Sequence, residues 1–182
     1  KEIYWLKISK SLKEIKLLEK DVDGVLTDGK IYLNGEGDIS KSFNVKDGLG
    51  LKLLKKTGIK IVFLSGGEGG ATEKRAKSLG IDFCKVGVKN KFLELNKIQK
   101  RFNIYKSQTA YVGDDLNDIP VKKLVDFFFV PRDASSYLFN FSDAILINKG
   151  GLGAIRELSE RILKSYSKLD EFINKGFFDK ND

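Results

Sequence analysis

Residues 17–29, which read LLEKDVDGVLTDG, decide the fold of this chain, because an extended run ends there in two aspartates one residue apart. Side chains at positions i and i+2 of a strand point to the same side, so Asp21 and Asp23 face one site. Like charges held that close repel and shift each other's pKa. Such a pair is expected where a cation binds, or where one carboxylate attacks and the other moves protons.

Strand-like and helix-like segments alternate along the chain, which predicts a doubly wound, mostly parallel, Rossmann-like α/β sheet with helices on both faces. The predicted strands lie at about 15–20, 59–64, 81–85, 109–113, 127–130 and 144–147. The predicted helices lie at about 1–14, from after Gly48 to Gly58, and at about 71–79, 90–102 and 151–169. Glu19 and Lys20 weaken the first strand prediction, because a buried central strand is usually apolar.

A β-hairpin is predicted ahead of the second helix, because the Asn34-Gly35 step separates strand-like residues 30–33 and 39–45. The other intervals between strands are too short to hold a separate lid. We therefore expect one domain spanning 1–182, with the hairpin as a small flap and no cap domain. Its core is expected to cover about 15–165 and its tail 166–182.

The composition restricts the chemistry that the chain can perform. It has no histidine, which excludes a Ser-His-Asp triad and histidine-bound zinc, and Cys84 is its single cysteine. The net charge of +8 favours anionic partners, but the lysines are scattered and no nucleic-acid-binding motif is present. No apolar run approaches the roughly 18 residues of a membrane span, and we expect a cytoplasmic protein without membrane or nucleic-acid partners.

Three of the predicted strands end in polar side chains, namely Asp21 with Asp23, Ser65, and Asp114 with Asp115. Ligands of open parallel sheets bind beyond the carboxyl ends of the strands, so these side chains are expected to converge. Without histidine, a bound cation would take hard oxygen ligands, and Mg²⁺ is expected. The expected ligands are the carboxylates of Asp21 and Asp114 and the main-chain carbonyl of Asp23.

The two aspartates of the first strand end are predicted to divide the chemistry of phosphate ester hydrolysis. Asp21 would attack phosphorus and form an aspartyl-phosphate once a cation screens the repulsion. Asp23 would give a proton to the leaving alkoxide and take one from the attacking water. Ser65 and the amide of Gly66 would hold phosphate oxygens.

A lysine and two further carboxylates complete the predicted site. Lys91, at the start of a helix, is expected to balance the charge of the transferring phosphoryl group, with Lys89 as the alternative. Asp118 is expected to support the metal site from outside. Asp115 remains open between that task and direct coordination.

In these motifs the chain resembles the haloacid dehalogenase-like hydrolase superfamily over roughly residues 15–160. The strand-end motifs are DVDG at 21–24, SG at 65–66 and GDDLND at 113–118, with Lys91 between the last two. The order and spacing agree with that superfamily. The first and last motifs together are highly specific, whereas Ser65 and Lys91 alone would be weak.

Four segments more closely resemble the 3-deoxy-D-manno-octulosonate 8-phosphate phosphatase family, which includes relatives acting on nine-carbon, sialic-acid-type 9-phosphates. They are DVDGVLTDG at 21–29, FNVKDG at 43–48, YVGDDLND at 111–118 and GGLGAIRE at 150–157. The resemblance implies a Mg²⁺-dependent phosphatase without a cap domain. It also implies a homotetramer in which a neighbouring subunit covers the active site, and a phosphorylated sugar acid as substrate.

One departure from the family concerns the substrate. The octulosonate phosphatases usually carry an arginine directly after the second motif, where this chain has Gly67 and then Glu68. An arginine that could bind the sugar carboxylate through two hydrogen bonds is therefore missing at that point. Its absence slightly favours a nonulosonate 9-phosphate as the substrate. Asp47 and Arg156 are further candidate substrate contacts, and either is also consistent with a structural ion pair.

Three functions follow from this interpretation. The leading one is hydrolysis of octulosonate 8-phosphate, with a nonulosonate 9-phosphate as the alternative substrate. A phosphotransferase, which passes the phosphoryl group to an acceptor hydroxyl, is a rival within enzymes. A noncatalytic subunit that binds a phosphorylated ligand is the rival from another class, and the presence of both Asp21 and Asp23 disfavours it.

Overall fold

A computed structural model describes residues 11–178 as a six-stranded parallel sheet with helices on both faces and a separate two-stranded antiparallel hairpin. The strands are β1 (Leu17–Lys20), β2 (Tyr32–Leu33), β3 (Ile39–Ser40), β4 (Lys60–Leu64), β5 (Phe83–Lys85), β6 (Thr109–Val112), β7 (Phe127–Val130) and β8 (Ala144–Ile145). The order in the large sheet is β5-β4-β1-β6-β7-β8, which places β1 near its centre. The doubly wound α/β prediction is confirmed.

Five α-helices lie within residues 11–178 and flank the sheet. They are α1 (Val45–Lys56), α2 (Ala71–Leu79), α3 (Lys91–Phe102), α4 (Ala154–Ser165) and α5 (Leu169–Lys175). Short 3-10 helices lie at Leu12–Glu14, Lys106–Gln108, Leu116–Leu124 and Ser136–Asn140. The hairpin β2–β3 is the predicted flap, and residues 11–178 contain no separate cap domain.

The two faces of the sheet carry separate hydrophobic cores, because successive side chains of a strand point to opposite faces. On one face, Leu18 of β1 packs in a cluster with residues of α1, α2 and α4. On the other face, Leu17 packs in a cluster with Leu95 and Ile98 of α3. Because both faces are covered, the polar strand ends are left at the carboxyl edge of the sheet.

Helix α1 begins earlier than predicted. The side chain of Asn44 accepts hydrogen bonds from the amides of Lys46 (2.8 Å) and Asp47 (3.4 Å), which caps the helix so that Val45 is its first residue. The predicted start after Gly48 was therefore wrong, and the predicted strand at 39–45 ends at Ser40. By contrast, α2 has the predicted bounds.

The predicted helix at 151–169 is divided in two. Helix α4 ends at Ser165, and Ser167 takes a positive φ of 57°, which breaks the helical path before α5. Most of the predicted helix at 1–14 lies outside the described residues, and only Leu12–Glu14 is seen, as a 3-10 turn. Within residues 11–178, no helix is long and apolar enough to cross a membrane.

Strand β1 forms although it contains two charged residues. Glu19 and Lys20 are both 0% exposed, and β1 pairs with β4 and β6 along its whole length. Neither the Glu19 carboxylate nor the Lys20 ammonium has a hydrogen-bond partner among the described residues. Lys20 Nζ lies 4.1 Å from the centroid of the Phe63 ring. Burial raises the pKa of Glu19 well above its ordinary value and lowers the pKa of Lys20 well below.

We predict that Lys20→Met stabilises the protein, because a buried polar group without a hydrogen-bond partner costs about 1–3 kcal/mol. The free energy of unfolding, measured by denaturant titration, is expected to rise by an amount in that range. Lys97→Met is the matched control, since the Lys97 side chain is 71% exposed and its ion pair with Glu94 is on the surface. Destabilisation by Lys20→Met would show that the cation–π contact with Phe63 outweighs the burial cost.

Candidate active site

The polar strand ends converge as the sequence predicts. β1 pairs in parallel with β4 on one side and with β6 on the other, so all three strands end at the same edge. Asp21 follows β1, Ser65 follows β4, and Asp114 lies two residues after β6. The amide of Asp21 donates to the carbonyl of Val112 at 3.0 Å, which continues the ladder to the first aspartate. The site is therefore positioned by the central strands.

Three carboxylates form an acidic cluster at this edge. Asp21, Asp114 and Asp118 each offer an oxygen, and these oxygens lie within 4.8 Å of one another. The sequence predicts a supporting role outside the metal site for Asp118 and leaves Asp115 open between that role and direct coordination. The structure places Asp118 in the cluster. Asp115 is exposed, and its carboxylate accepts from the amide of Leu116 at 2.7 Å as a helix cap.

Asp118 is the most completely bonded member of the cluster. Its Oδ1 accepts from Lys91 Nζ at 2.7 Å and from the Tyr111 hydroxyl at 2.5 Å. Its Oδ2 accepts from the amides of Asp114 (2.9 Å) and Asp115 (3.3 Å). Both oxygens are therefore engaged by protein donors, and Asp118 fixes the shape of the turn that carries Asp114.

Lys91, the first residue of α3, is the cation of the site. Its ammonium forms ion pairs with Asp21 and Asp118, and its side chain is only 2% exposed. Burial alone would lower the pKa of Lys91, but the Asp118 and Asp21 carboxylates outweigh it and raise that pKa above its ordinary value. The structure therefore places Lys91, the preferred candidate from the sequence, beside the aspartates, and leaves the alternative Lys89 exposed.

The cluster carries more negative charge than Lys91 balances. Burial, and then repulsion from Asp118, raise the pKa of Asp21 to about 6 against the attraction of Lys91. Burial, and then repulsion from Asp21, raise the pKa of Asp114 to about 8. A divalent cation would relieve this repulsion, and a donor set made only of carboxylate and carbonyl oxygens suits Mg²⁺. The residues present therefore fit a magnesium ion.

Three glycines allow the close approach of these groups. A Cβ atom at Gly113 would lie 2.5 Å from the Asp118 Oδ2. A Cβ at Gly24, whose φ is +79°, would overlap the Asp114 carboxylate, and one at Gly150 would overlap the Gly24 carbonyl oxygen. The glycine-rich motif at 150–153 thus packs against the turn that follows Asp23 and holds it against Asp114.

Asp23 lies apart from the acidic cluster and has its own partners. Its Oδ2 accepts from Lys41 Nζ at 2.8 Å and from the Ser65 hydroxyl at 3.3 Å. Ser65 Oγ accepts in turn from the amide of Gly67 at 3.2 Å, where Gly66 and Gly67 form the turn after β4. Lys41 is not among the site residues that the sequence predicts. It reaches Asp23 because the hairpin folds back onto the sheet, which no local sequence pattern indicates.

Two of the three remaining candidate substrate contacts lie in the packing of α1 against α4. Asp47 is 1% exposed, and its carboxylate accepts from the amides of Arg156 (2.7 Å) and Gly153 (3.3 Å). The Arg156 guanidinium pairs with Glu160 at 2.6 Å. Arg156 therefore forms a structural ion pair, whereas Asp47 is bonded to main-chain amides, and a direct role of either residue in substrate binding stays a prediction. Glu68 lines a groove between the hairpin and the start of α2.

Known proteins resemble the chain in sequence and in structure. A family model described as haloacid dehalogenase-like hydrolase matches residues 45–125. The 3-deoxy-D-manno-octulosonate 8-phosphate phosphatase KdsC of Haemophilus influenzae is 37% identical, covering 91% of this chain and 92% of that protein. The Escherichia coli K12 enzyme of the same name is 36% identical, covering 87% and 85%.

A solved structure of the same kind is also similar. The 3-deoxy-D-manno-octulosonate 8-phosphate phosphatase of Moraxella catarrhalis, in complex with a magnesium ion, a phosphate ion and a KDO molecule, is 38% identical to this chain. The two superpose with a TM-score of 0.87 over 95% of this chain and 97% of that one.

We predict that Gly24→Ala weakens Mg²⁺ binding, because the added methyl group displaces the Asp114 carboxylate. Isothermal titration calorimetry should show a clear loss of affinity. Gly58→Ala is the matched control, since Gly58 has a similar φ of +85° and nothing lies within 4 Å of its Cβ position. Both variants carry a backbone strain of roughly 1–2 kcal/mol. Equal Mg²⁺ affinity in the two variants would contradict the assignment of Asp114 as a ligand.

Proposed function

The chain belongs to the 3-deoxy-D-manno-octulosonate 8-phosphate phosphatase family of haloacid dehalogenase-like hydrolases, and we propose that it hydrolyses a phosphorylated 3-deoxy-2-ulosonic acid sugar through an aspartyl-phosphate on Asp21. As a member of that family, it is a phosphatase, a phosphoric monoester hydrolase. The observation that carries the mechanism is the buried arrangement in which Lys91 holds Asp21 beside Asp118.

The cofactor of this reaction is Mg²⁺. The carboxylates of Asp21 and Asp114 and the main-chain carbonyl of Asp23 would hold it, next to the Asp118 carboxylate. When bound, it supplies the positive charge that offsets repulsion between the Asp21 carboxylate and the phosphate dianion. The crowding that raises the pKa of Asp21 and Asp114 supports this assignment.

In the first step, a carboxylate oxygen of Asp21 bonds to phosphorus while the bond from phosphorus to the sugar oxygen breaks. The ion pair with Lys91 and the hydrogen bond from the Val22 amide to Oδ1 (2.6 Å) hold the Asp21 carboxylate in place. Ser65 and the amide of Gly66 would hold the phosphoryl oxygens. Their position, directly after β4, supports that role.

Protons move through Asp23. Its carboxylic acid gives a proton to the departing sugar alkoxide, and the resulting carboxylate then takes a proton from the water that attacks phosphorus. That attack breaks the bond between phosphorus and Asp21, releases phosphate and restores both aspartates. The separation of Asp23 from the Lys91-bound cluster supports this division, because Asp23 is not tied to the cation that holds the nucleophile.

The favoured substrate is octulosonate 8-phosphate, supported by the names of the similar enzymes and by the Moraxella catarrhalis complex. A nonulosonate 9-phosphate is the alternative. It is supported by Gly67, where the family's octulosonate enzymes usually place an arginine. A Cβ atom at position 67 would lie 3.0 Å from Asp23 Oδ2, so a side chain there would contact the proposed acid–base residue. The absence of that side chain leaves more room beside Asp23.

We also propose that a neighbouring subunit, in a homotetramer, covers the site. The hairpin supports this proposal, because it exposes large apolar side chains that a monomer would leave in water. These side chains are Ile31 (62% exposed), Tyr32 (51%), Leu33 (68%) and Ile39 (40%).

Replacing the nucleophile tests the mechanism. Asp21→Asn is expected to reduce Mg²⁺-dependent phosphate release to background, because a neutral amide cannot form the aspartyl-phosphate. Circular dichroism should show an unchanged fold. Asp170→Asn, at an exposed position of α5, is the control and should retain full activity. Near-normal turnover by Asp21→Asn would contradict the role of Asp21.

A phosphate-release screen tests the substrate. With Mg²⁺ present, we expect kcat/KM to be about tenfold or more higher for octulosonate 8-phosphate than for several nonulosonate 9-phosphates. A difference of one carbon in the substrate is enough for discrimination of that size. A preference in the opposite direction would assign the nine-carbon alternative. Release from none of these sugar acids, with other phosphate esters hydrolysed, would contradict the substrate class.

A further inference from the structure

Lys41 is a buried lysine that reaches the active site from the hairpin. It directly follows β3, and its side chain is only 3% exposed, although most lysines keep their charge in water. Its ammonium donates to Asp23 Oδ2 at 2.8 Å and to the Thr72 hydroxyl oxygen of α2 at 3.3 Å. Two fixed acceptors from different elements therefore hold the cation in one position.

The two carboxyl oxygens of Asp23 differ in their hydrogen-bond partners. Oδ2 accepts from Lys41 and from the Ser65 hydroxyl. Oδ1 is buried and has no hydrogen-bond partner among residues 11–178. A buried carboxyl oxygen without a partner is costly unless a ligand or water completes it. Because Lys41 and Ser65 both bind Oδ2, the orientation of the Asp23 carboxyl group is fixed.

The space beside this pair can receive a leaving group. A groove of about 650 Å³ runs between the hairpin and the start of α2, and Lys41 is one of its lining residues. Gly67 contributes no side chain, and a Cβ atom there would lie 3.0 Å from Asp23 Oδ2 and 3.6 Å from Lys41 Nζ. The side of Asp23 that carries Lys41 is therefore open to a ligand.

We propose that Lys41 is a positioning residue for proton transfer, which fixes the orientation of the Asp23 carboxyl group towards the oxygen of the departing sugar. This inference rests on the proposed function, and it adds the hairpin to the machinery of leaving-group departure. Thr72 supports this role indirectly, since its hydroxyl oxygen accepts a hydrogen bond from the Lys41 ammonium. A merely structural Lys41 would only fasten the hairpin to the sheet.

The dependence of the rate on the leaving group distinguishes these two roles. A sugar alkoxide leaves poorly and needs a proton from Asp23, whereas p-nitrophenolate leaves well without one. The ratio kcat/KM reports steps up to the transfer of phosphorus to Asp21, so it isolates leaving-group departure from later hydrolysis. General acid catalysis contributes about 10²–10⁴-fold, so a misplaced Asp23 should cost a large part of that factor for the sugar phosphate.

The experiment compares Mg²⁺-dependent kcat/KM for a sugar phosphate and for p-nitrophenyl phosphate in four proteins. Lys41→Met is expected to lose at least about tenfold more activity on the sugar phosphate than on the aryl phosphate. Thr72→Val should show a smaller loss with the same preference, and it remains informative if Lys41→Met fails to fold. Lys97→Met, on the exposed surface of α3, should match the unchanged protein on both substrates.

Equal losses on both substrates in Lys41→Met and Thr72→Val would overturn the proposal, because a structural defect does not depend on the leaving group. Unchanged kcat/KM on both substrates would overturn it as well. The unsubstituted protein tests the proposed function separately. Its Mg²⁺-dependent turnover of the two substrates is expected whether or not Lys41 has the role that we propose.

Discussion

The buried ammonium of Lys91 is the interaction on which the active site depends. It brings Asp21 and Asp118 together in a region that is nearly closed to solvent, where two unbalanced carboxylates would repel strongly. Asp118 extends the effect, since it binds the Tyr111 hydroxyl on one oxygen and the amides of the Asp114 turn on the other. A single lysine at the start of α3 thus links the ends of β1 and β6.

The same constraint accounts for the different tasks that we propose for two aspartates one residue apart. Asp21 is buried and bound to Lys91, which holds its carboxylate in place for the nucleophilic role that we propose. Asp23 lies nearer solvent and is bound to Lys41 and Ser65, which do not touch the acidic cluster. The Asp-x-Asp spacing places both carboxylates at one site, and their different neighbours support the proposed division into an attacking group and a proton-carrying group.

Much of this arrangement follows from the sequence, because it depends on strand order and on local spacing. The strand ends of Asp21, Ser65 and Asp114 converge as parallel strands require. The position of Asp118 could not be read from the sequence, since it depends on a 3-10 turn and on the contact that Gly113 allows. Lys41 depends on how the hairpin folds back onto the sheet.

The two charged residues of β1 show that a polar sequence pattern can also underestimate how deeply a strand is buried. Glu19 and Lys20 argued against a buried strand, yet pairing on both sides overrides their polarity. Asp47 likewise sits in a motif associated with the site, but its carboxylate is bonded to the amides at the start of α4. Its surroundings, set by the packing of α1 on α4, could not be inferred from residue type.

The stereochemical course at phosphorus tests the role of Asp21 most directly. Transfer to Asp21 and then to water involves two in-line displacements, each of which inverts phosphorus. A phosphorothioate substrate, labelled with one heavy oxygen isotope and hydrolysed in water carrying another, is therefore predicted to give thiophosphate of retained configuration. Inversion would mean direct attack by water and would contradict an aspartyl-phosphate on Asp21.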